Sequence, residues 1–314
     1  MLFKIIFGML MLSLPTIAGY FSRSRGLLPE AIAVRITRFA VVWLGTPILI
    51  MTMWHLELAG GRLFWLPVIG LGVALANLAI GFFMAGKFRL EKRSRGSFVI
   101  SSSISNLGET FGGLLAFILM GQQGFGLATL YALFFQPYTF SALFWLAGKY
   151  SSQGEEGLIN YFRHNPDLLL PVLAIAIGLI FNFSGLPEIE ILVKANSFLI
   201  PLSSAVWLYA IGLRLHVSSV RRFRRILPAY FTLKFILSPI VALLLAWAIG
   251  IWNWEIREPL KVIFIESVTP AAVFSMAIPM IFDLDVDLAG ALWLASTVVA
   301  IALVPVIMLV AAML

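Results

Sequence analysis

Two acidic residues, Glu109 and Glu266, lie far from any polar break in the chain, each inside a run of small and hydroxylated residues. The first run reads Ser101-Ser102-Ser103-Ile104-Ser105-Asn106-Leu107-Gly108-Glu109-Thr110-Phe111-Gly112-Gly113. The second reads Glu266-Ser267-Val268-Thr269-Pro270-Ala271-Ala272. Glycine lowers helix propensity by about 1 kcal/mol per residue, and Gly108, Gly112 and Gly113 fall close together. Pro270 lacks an amide donor and clashes with the carbonyl of Glu266 four residues earlier. Both runs therefore predict a helix interrupted at mid-depth, at 106–113 and at 268–270. Pro270 suits the first position of a second half-helix with Thr269 as its N-cap. The free N–H groups of such a half-helix attract an anion, and the carbonyls ending the half-helix before it attract a cation. Substrate contacts are expected at Asn106, Gly108, Glu109, Gly112, Gly113, Thr269 and Pro270. A coupling cation is expected at Ser105, Asn106, Glu109 and Glu266.

Other chemistry-bearing residues narrow the field. Lys234 stands between Pro228 and Pro239. It either balances charge within the protein or snorkels about two helical turns to the interface. The chain contains no cysteine, which removes disulfides, thiolate metal sites and cysteine nucleophiles. His55, His164 and His216 are all near loops, so no buried histidine serves a metal or a proton relay. Asp283, Asp285 and Asp287 imitate the start of a calcium loop but lack its glycine and closing glutamate; solvated helix caps are the expectation there. An intramembrane protease needs a buried Ser/His pair or two buried aspartates, so no enzyme is expected. Asn77, Gln136 and Asn182 read as amides that bind helices to one another.

The elements around these residues must be membrane helices. Of the 314 residues, 61% are hydrophobic and 12% charged, against roughly 45–50% and about 25% in soluble domains. That much apolar surface cannot be hidden from water, so the fold class is an all-α polytopic membrane protein. A span needs about 20 apolar residues. Apolar stretches fall near 1–21, 32–54, 63–85, 97–120, 125–148, 167–184, 189–213, 226–251, 259–282 and 288–313, giving about ten helices. The first stretch imitates a signal peptide but has a long apolar run without an A-x-A pattern, and is expected to be a span.

Most of the 22 Lys and Arg follow the first, third, fifth and seventh stretches, as in Arg23 and Arg25, Lys87 to Arg95, Lys149 and Arg163, and Arg214 to Arg225. The positive-inside rule places those loops in the cytoplasm and both termini outside. The net charge of +7 is then a lipid anchor at helix ends rather than a sign of nucleic-acid binding.

The long polar break at 149–166 divides the chain into a first repeat, 1–150, and a second, 151–314. Each half has a proline in its second helix, Pro47 and Pro201, and a break in its fourth. Five helices per repeat invert the second copy. Inverted repeats with discontinuous helices at mid-membrane are a transporter architecture.

The order of short motifs resembles the auxin efflux carrier family, which includes plant PIN proteins and many bacterial permeases. Gly19-Tyr20 through Gly26 to Thr46-Pro47 looks like its first two helices. Asn106-Leu107-Gly108, then Gly121-Gln122-Gln123-Gly124 and Ala128 to Tyr131, is similar to its N-x-G helix and following turn. Asn165-Pro166, Pro201-Leu202, Ile211 to Leu215, Lys234-x4-Pro239, Pro270, Phe282-Asp283 and Ser296-Thr297 continue the pattern. The resemblance implies a scaffold of residues 1–58 and 166–217 beside a mobile transport domain of 59–150 and 218–314. In it, helices four and nine cross at their breaks, and dimers form through the scaffold. It also implies a small organic anion such as a carboxylate as substrate. The chain departs from the pattern in having Gly112-Gly113 in place of a proline, and in Glu109 and Glu266, where most members are neutral. Ser105, Asn106 and Glu266 are reminiscent of the sodium site of the bile acid:sodium symporters, which share this fold.

Two like charges 4 Å apart repel by about 4 kcal/mol at an effective dielectric of 20. An anion beside an ionised Glu109 or Glu266 therefore needs Na⁺ or H⁺ with it. The expected function is coupled transport of a small organic anion by elevator-type alternating access, with no cofactor beyond the coupling ion. A bacterial inner (plasma) membrane is the expected location. A cation/proton antiporter of similar fold, an uncoupled anion uniporter and an open channel are the alternatives.

Overall fold

The structure, a computed structural model, describes residues 1–58, 61–151, 169–187, 189–215 and 218–314. Arg163, His164, Asn165, Pro166 and His216, with most of the polar break between the two halves, lie outside the described residues. Lipid offers no partner to a backbone N–H or C=O, so a chain this apolar must satisfy those groups internally, and helices do so. Among the described residues there is no strand. Seven helical runs among the described residues are long and apolar enough to cross a membrane.

The helices are α1 (Leu2–Ser24), α2 (Ile32–Trp54), α3 (Trp65–Lys87), α4 (Lys92–Ser103), α5 (Phe111–Tyr131) and α6 (135–150). After the undescribed stretch come α7 (Leu170–Phe183), α8 (Glu190–Leu213), α9 (Leu227–Ala248), α10 (Glu258–Ser267), α11 (Phe274–Ile281) and α12 (Val286–Met313). Most lie within the apolar stretches read from the sequence, but the stretches near 97–120 and 259–282 are each divided between two helices, and α5 runs from the first of these into the stretch near 125–148. Two helices carry a π-turn just before a proline, Ala40–Gly45 ahead of Pro47 and Leu233–Leu237 ahead of Pro239. The missing amide and the ring widen the turn at these points. The second of these turns carries Lys234.

Helix α5 is not one rod. Gly121 has φ +67° and ψ −152°, a backbone state open almost only to glycine. The chain reverses there. Gly124 is packed on the carbonyl of Ala116, Gly113 on the ring of Phe125 and Gly108 on the methyl of Ala132, the pairing of an antiparallel hairpin. Residues 111–120 and 122–131 are its two limbs.

Small residues set the helix-to-helix approaches. α1 runs along α8, where a Cβ on Gly19 would stand 3.0 Å from the Cα of Gly212. α7 runs along α2, with Gly178 against the backbone of Ile50, and Asn182 Nδ2 donates to the carbonyls of Met53, Trp54 and Leu56. That amide thus caps the end of α2, whose last carbonyls have no helical partner. Asp285 caps α12 by accepting the amide of Leu288 at 3.0 Å, while Asp283 pairs with Arg93 and Asp287 with Arg222. Capping and surface pairing thus account for the three aspartates.

Candidate functional site at the helix crossing

The helix ending at Ser103 and the one ending at Ser267 both stop inside the protein, and the chain continues extended through 104–106 and 270–272. Freed amides and carbonyls must find partners there, and they find each other. Asn106 N–H donates to the Pro270 carbonyl at 2.8 Å, Ala272 N–H to the Ile104 carbonyl at 3.4 Å, and Ser105 lies opposite Ala271. A further amide, that of Ala271, donates to Ser296 Oγ at 3.2 Å. The two broken helices therefore cross at their interruptions, in antiparallel register.

Two expectations about these breaks are corrected. The first interruption is 104–110, with Gly112 and Gly113 inside the following helix. Their role is close approach: a Cβ on Gly112 would fall within the carboxyl group of Glu266, and one on Gly113 would strike the carbonyl of Gly108. The second interruption extends through Val273, so α11 begins at Phe274 rather than at Pro270. Pro270 sits in the extended segment, where a missing amide costs nothing and its carbonyl serves Asn106. Thr269 is no N-cap; its hydroxyl donates to the carbonyl of Glu266 at 2.8 Å and closes the end of α10.

The charged side chains converge on the crossing. Lys234 is fully buried, so it does not snorkel; Nζ donates to the Ile104 carbonyl and to Ser105 Oγ, both at 2.9 Å. Glu266 is likewise fully buried, with Oε2 accepting the Gly108 amide at 3.1 Å and Oε1 without a partner among the described residues. Gly108 itself has a positive φ of 65°, a backbone state that glycine adopts without steric cost. Asn106 Oδ1 accepts the hydroxyl of Thr110. Glu109 is half-buried against Gly45 of α2, and its backbone carbonyl accepts the hydroxyl of Ser204 on α8 at 3.1 Å. Its carboxylate has no hydrogen-bond partner among the described residues.

A cavity of about 250 Å³ opens on one side of the crossing. Ser105, Asn106, Gly108, Glu109 and Thr110 form one wall, and Ala272, Val273 and Phe274 continue it. Thr37, Trp207 and Arg214 from α2, α8 and the residue after it stand across. Of the expected substrate contacts, Gly112, Gly113, Thr269 and Pro270 do not reach this cavity. The displaced start of α11 and the packing role of the glycines explain why. A separate chamber of about 20 Å³, one water in size, is lined by Asn77, Ser103, Ser105, Tyr131, Tyr138 and Glu266. Asn77 Oδ1, like Glu266 Oε1, is buried there without a partner.

Sequence reasoning missed Arg214, Trp207 and Thr129 on the cavity wall and gave Asn77 and Gln136 only a packing role. Arg214 carried a signal, positive charge, but that signal is shared by every lipid-anchoring residue in its loop. As for Na⁺, Ser105 Oγ already accepts from an ammonium, and an oxygen so engaged is a poor ligand for a second cation. No protein-family model and no curated protein matches this chain.

Proposed function

We propose that this chain is a secondary active transporter that carries a small organic anion across a bacterial inner membrane, coupled to H⁺ or Na⁺. The observation that carries the reading is the antiparallel meeting of two interrupted helices, 104–106 against 270–272, on the wall of a 250 Å³ cavity. Irregular backbone at membrane depth is tolerated only where protein or a cavity covers it, and discontinuous helices at mid-membrane are how many transporters build a binding site. Lys234 and Arg214 supply positive charge for an anion. Glu266 needs the coupling ion, because a bare carboxylate at that depth costs at least about 2.5–3.5 kcal/mol. The ammonium of Lys234 on Ser105 favours the proton over Na⁺ in that role.

The ten-crossing inverted repeat belongs to the same proposal. α1 packs along α8 while α7 packs along α2, the reciprocal exchange that an inverted pair of five-helix units makes. On this reading residues 1–58 and 166–217 are the scaffold, through which two copies associate, and 59–150 and 218–314 move as the transport domain. The basic loops face the cytoplasm and both termini face outward. The protein then has no enzymatic step and no partner beyond its solute, the bilayer and its own copy.

Proteoliposomes loaded with imposed pH or Na⁺ gradients test this. Radiolabelled carboxylates should accumulate only with a gradient, and Glu266→Gln should abolish the gradient dependence. Unchanged uptake and unchanged gradient response in that variant would remove the coupling role. One observation favours a second reading: Glu109 lines the cavity, and its carboxylate has no hydrogen-bond partner among the described residues. A cation/proton antiporter would use it directly. Cation-driven dissipation of a pH gradient without organic solute identifies that case.

A further inference from the structure

The hairpin that turns at Gly121 ends in two adjacent glutamines, and both are spent on other elements. Gln122 Nε2 donates to the Val193 carbonyl and to Ser197 Oγ, both at 2.7 Å, and its Oε1 accepts from Asn196 Nδ2 at 3.0 Å. Asn196 is fully buried and also donates to Thr52 Oγ1 at 3.1 Å. The hairpin tip is thereby joined to α8 and α2 at once. Gln123 pairs with the backbone of Glu57 in both directions at 3.2 Å, accepting its amide and donating to its carbonyl. Lys4 Nζ donates to the carbonyl of Leu119 at 2.8 Å. Beneath these bonds, Phe125 of the hairpin packs on Ile48 of α2 and Ile200 of α8.

All of this lies at the end of the molecule away from Thr37 and Arg214, which flank the cavity. One end of the seam between hairpin and scaffold is therefore pinned by Gln122 to α8, beside a cavity of about 630 Å³ at Gln123 and Glu57, while the other end is parted along the cavity of about 250 Å³. Hydrogen bonds are suited to that task. They are directional and individually modest, so they can hold a seam shut and still release it. A wholly apolar seam would have no such defined register. The dry aromatic layer of Phe125 behind them keeps water from following the bonds inward.

Resting on the transporter reading, we propose that Gln122 and Gln123 form a latch that closes the end of the solute pathway opposite the cavity. Its release is the step that opens the other side. Alternating access requires that opening one end closes the other, which makes the proposal separable from simple loosening. The chain has no cysteine of its own, so single reporters need no background removal. Ile200→Cys reports the latched seam and Val172→Cys, on the cavity wall, reports the parted one. Protein in nanodiscs is exposed to a soluble maleimide on both faces. Adding Gln122→Ala should speed labelling at residue 200 about tenfold and slow it at residue 172 in the same preparation. Gln122→Glu keeps the length but loses the donor, and should act in the same direction.

Equal labelling rates with and without the latch substitutions overturn the proposal, as does acceleration at both reporters, which marks loosened packing. Uptake by the unmodified protein is scored separately. Loss of the reciprocal labelling with uptake intact removes the latch alone, whereas absence of any solute flux removes the transporter reading.

Discussion

At Gly112 a single hydrogen stands where any other residue would place a carbon inside the carboxyl group of Glu266. The glycine and the acid are therefore one unit, with the smallest side chain making room for a buried charge-bearing one. Gly112→Ala should destabilise the protein by about 1–3 kcal/mol, the usual cost of overpacking a tight core. Combining it with Glu266→Ala should recover most of that loss, and thermal unfolding of the two single variants and the double in detergent gives the coupling directly. A penalty of the same size in both backgrounds would separate the two residues. The acids and Lys234 were legible in the sequence because burying charge in lipid is costly enough to demand a reason. The meaning of Gly112 was not, since a glycine that breaks a helix and one that admits a neighbour are spelled alike. Asn77 was read as packing glue, and one of its bonds, Nδ2 to Ser238 Oγ at 3.1 Å, has that role. The oxygen left over beside Glu266 depends on rotamer and helix register, which no linear pattern contains.

Elements were read more accurately than their ends. Most apolar stretches hold a helix because span length is imposed from outside by the bilayer. Where each break begins is decided from inside, by which carbonyls and amides can meet across the crossing. Pro270 illustrates the difference: its sequence signature suits a helix start, yet the pairing of its carbonyl with Asn106 draws the extended segment on to Val273. Gly121 is the opposite case, a turn fixed by one residue. With φ +67° and ψ −152°, any side chain there meets steric strain of order 1–3 kcal/mol. Nothing lies within 4 Å to clash with a Cβ at that position, so the penalty is conformational alone. Gly121→Ala should therefore lower stability by about that amount, and Gly121→Val by more, as read from thermal unfolding. Indifference of the melting temperature to both would mean that the hairpin does not turn through this backbone state.

For the molecule as a whole, the balance of charge around the cavity decides what can enter. Lys234 and Glu266 are not spent on each other; Lys234 takes the Ile104 carbonyl and Ser105, while Glu266 takes an amide. The buried ammonium and the buried carboxyl are thus not cancelled against each other, as the proposed co-transport of an anion with a cation requires. Glu109 is the member that faces the cavity, pressed between α2 and α8 where the proposed mobile and fixed parts meet. An anion held 4 Å from its ionised form would lose about 4 kcal/mol at an effective dielectric of 20, or roughly three orders of magnitude in affinity. Neutralising it should remove most of that loss without changing side-chain volume. Glu109→Gln is accordingly expected to bind a transported carboxylate more tightly than the unmodified protein by at least about tenfold, with the response to Na⁺ and pH reduced to the share that Glu266 carries. Tighter binding with a weaker cation response also slows release, so net uptake against a gradient should fall even as affinity rises. Isothermal titration with and without Na⁺, at two pH values, measures the first effect, and proteoliposome uptake the second. Weaker binding of carboxylates in Glu109→Gln, with loss of response to inorganic cations, would instead assign Glu109 to a cationic cargo and favour the antiporter.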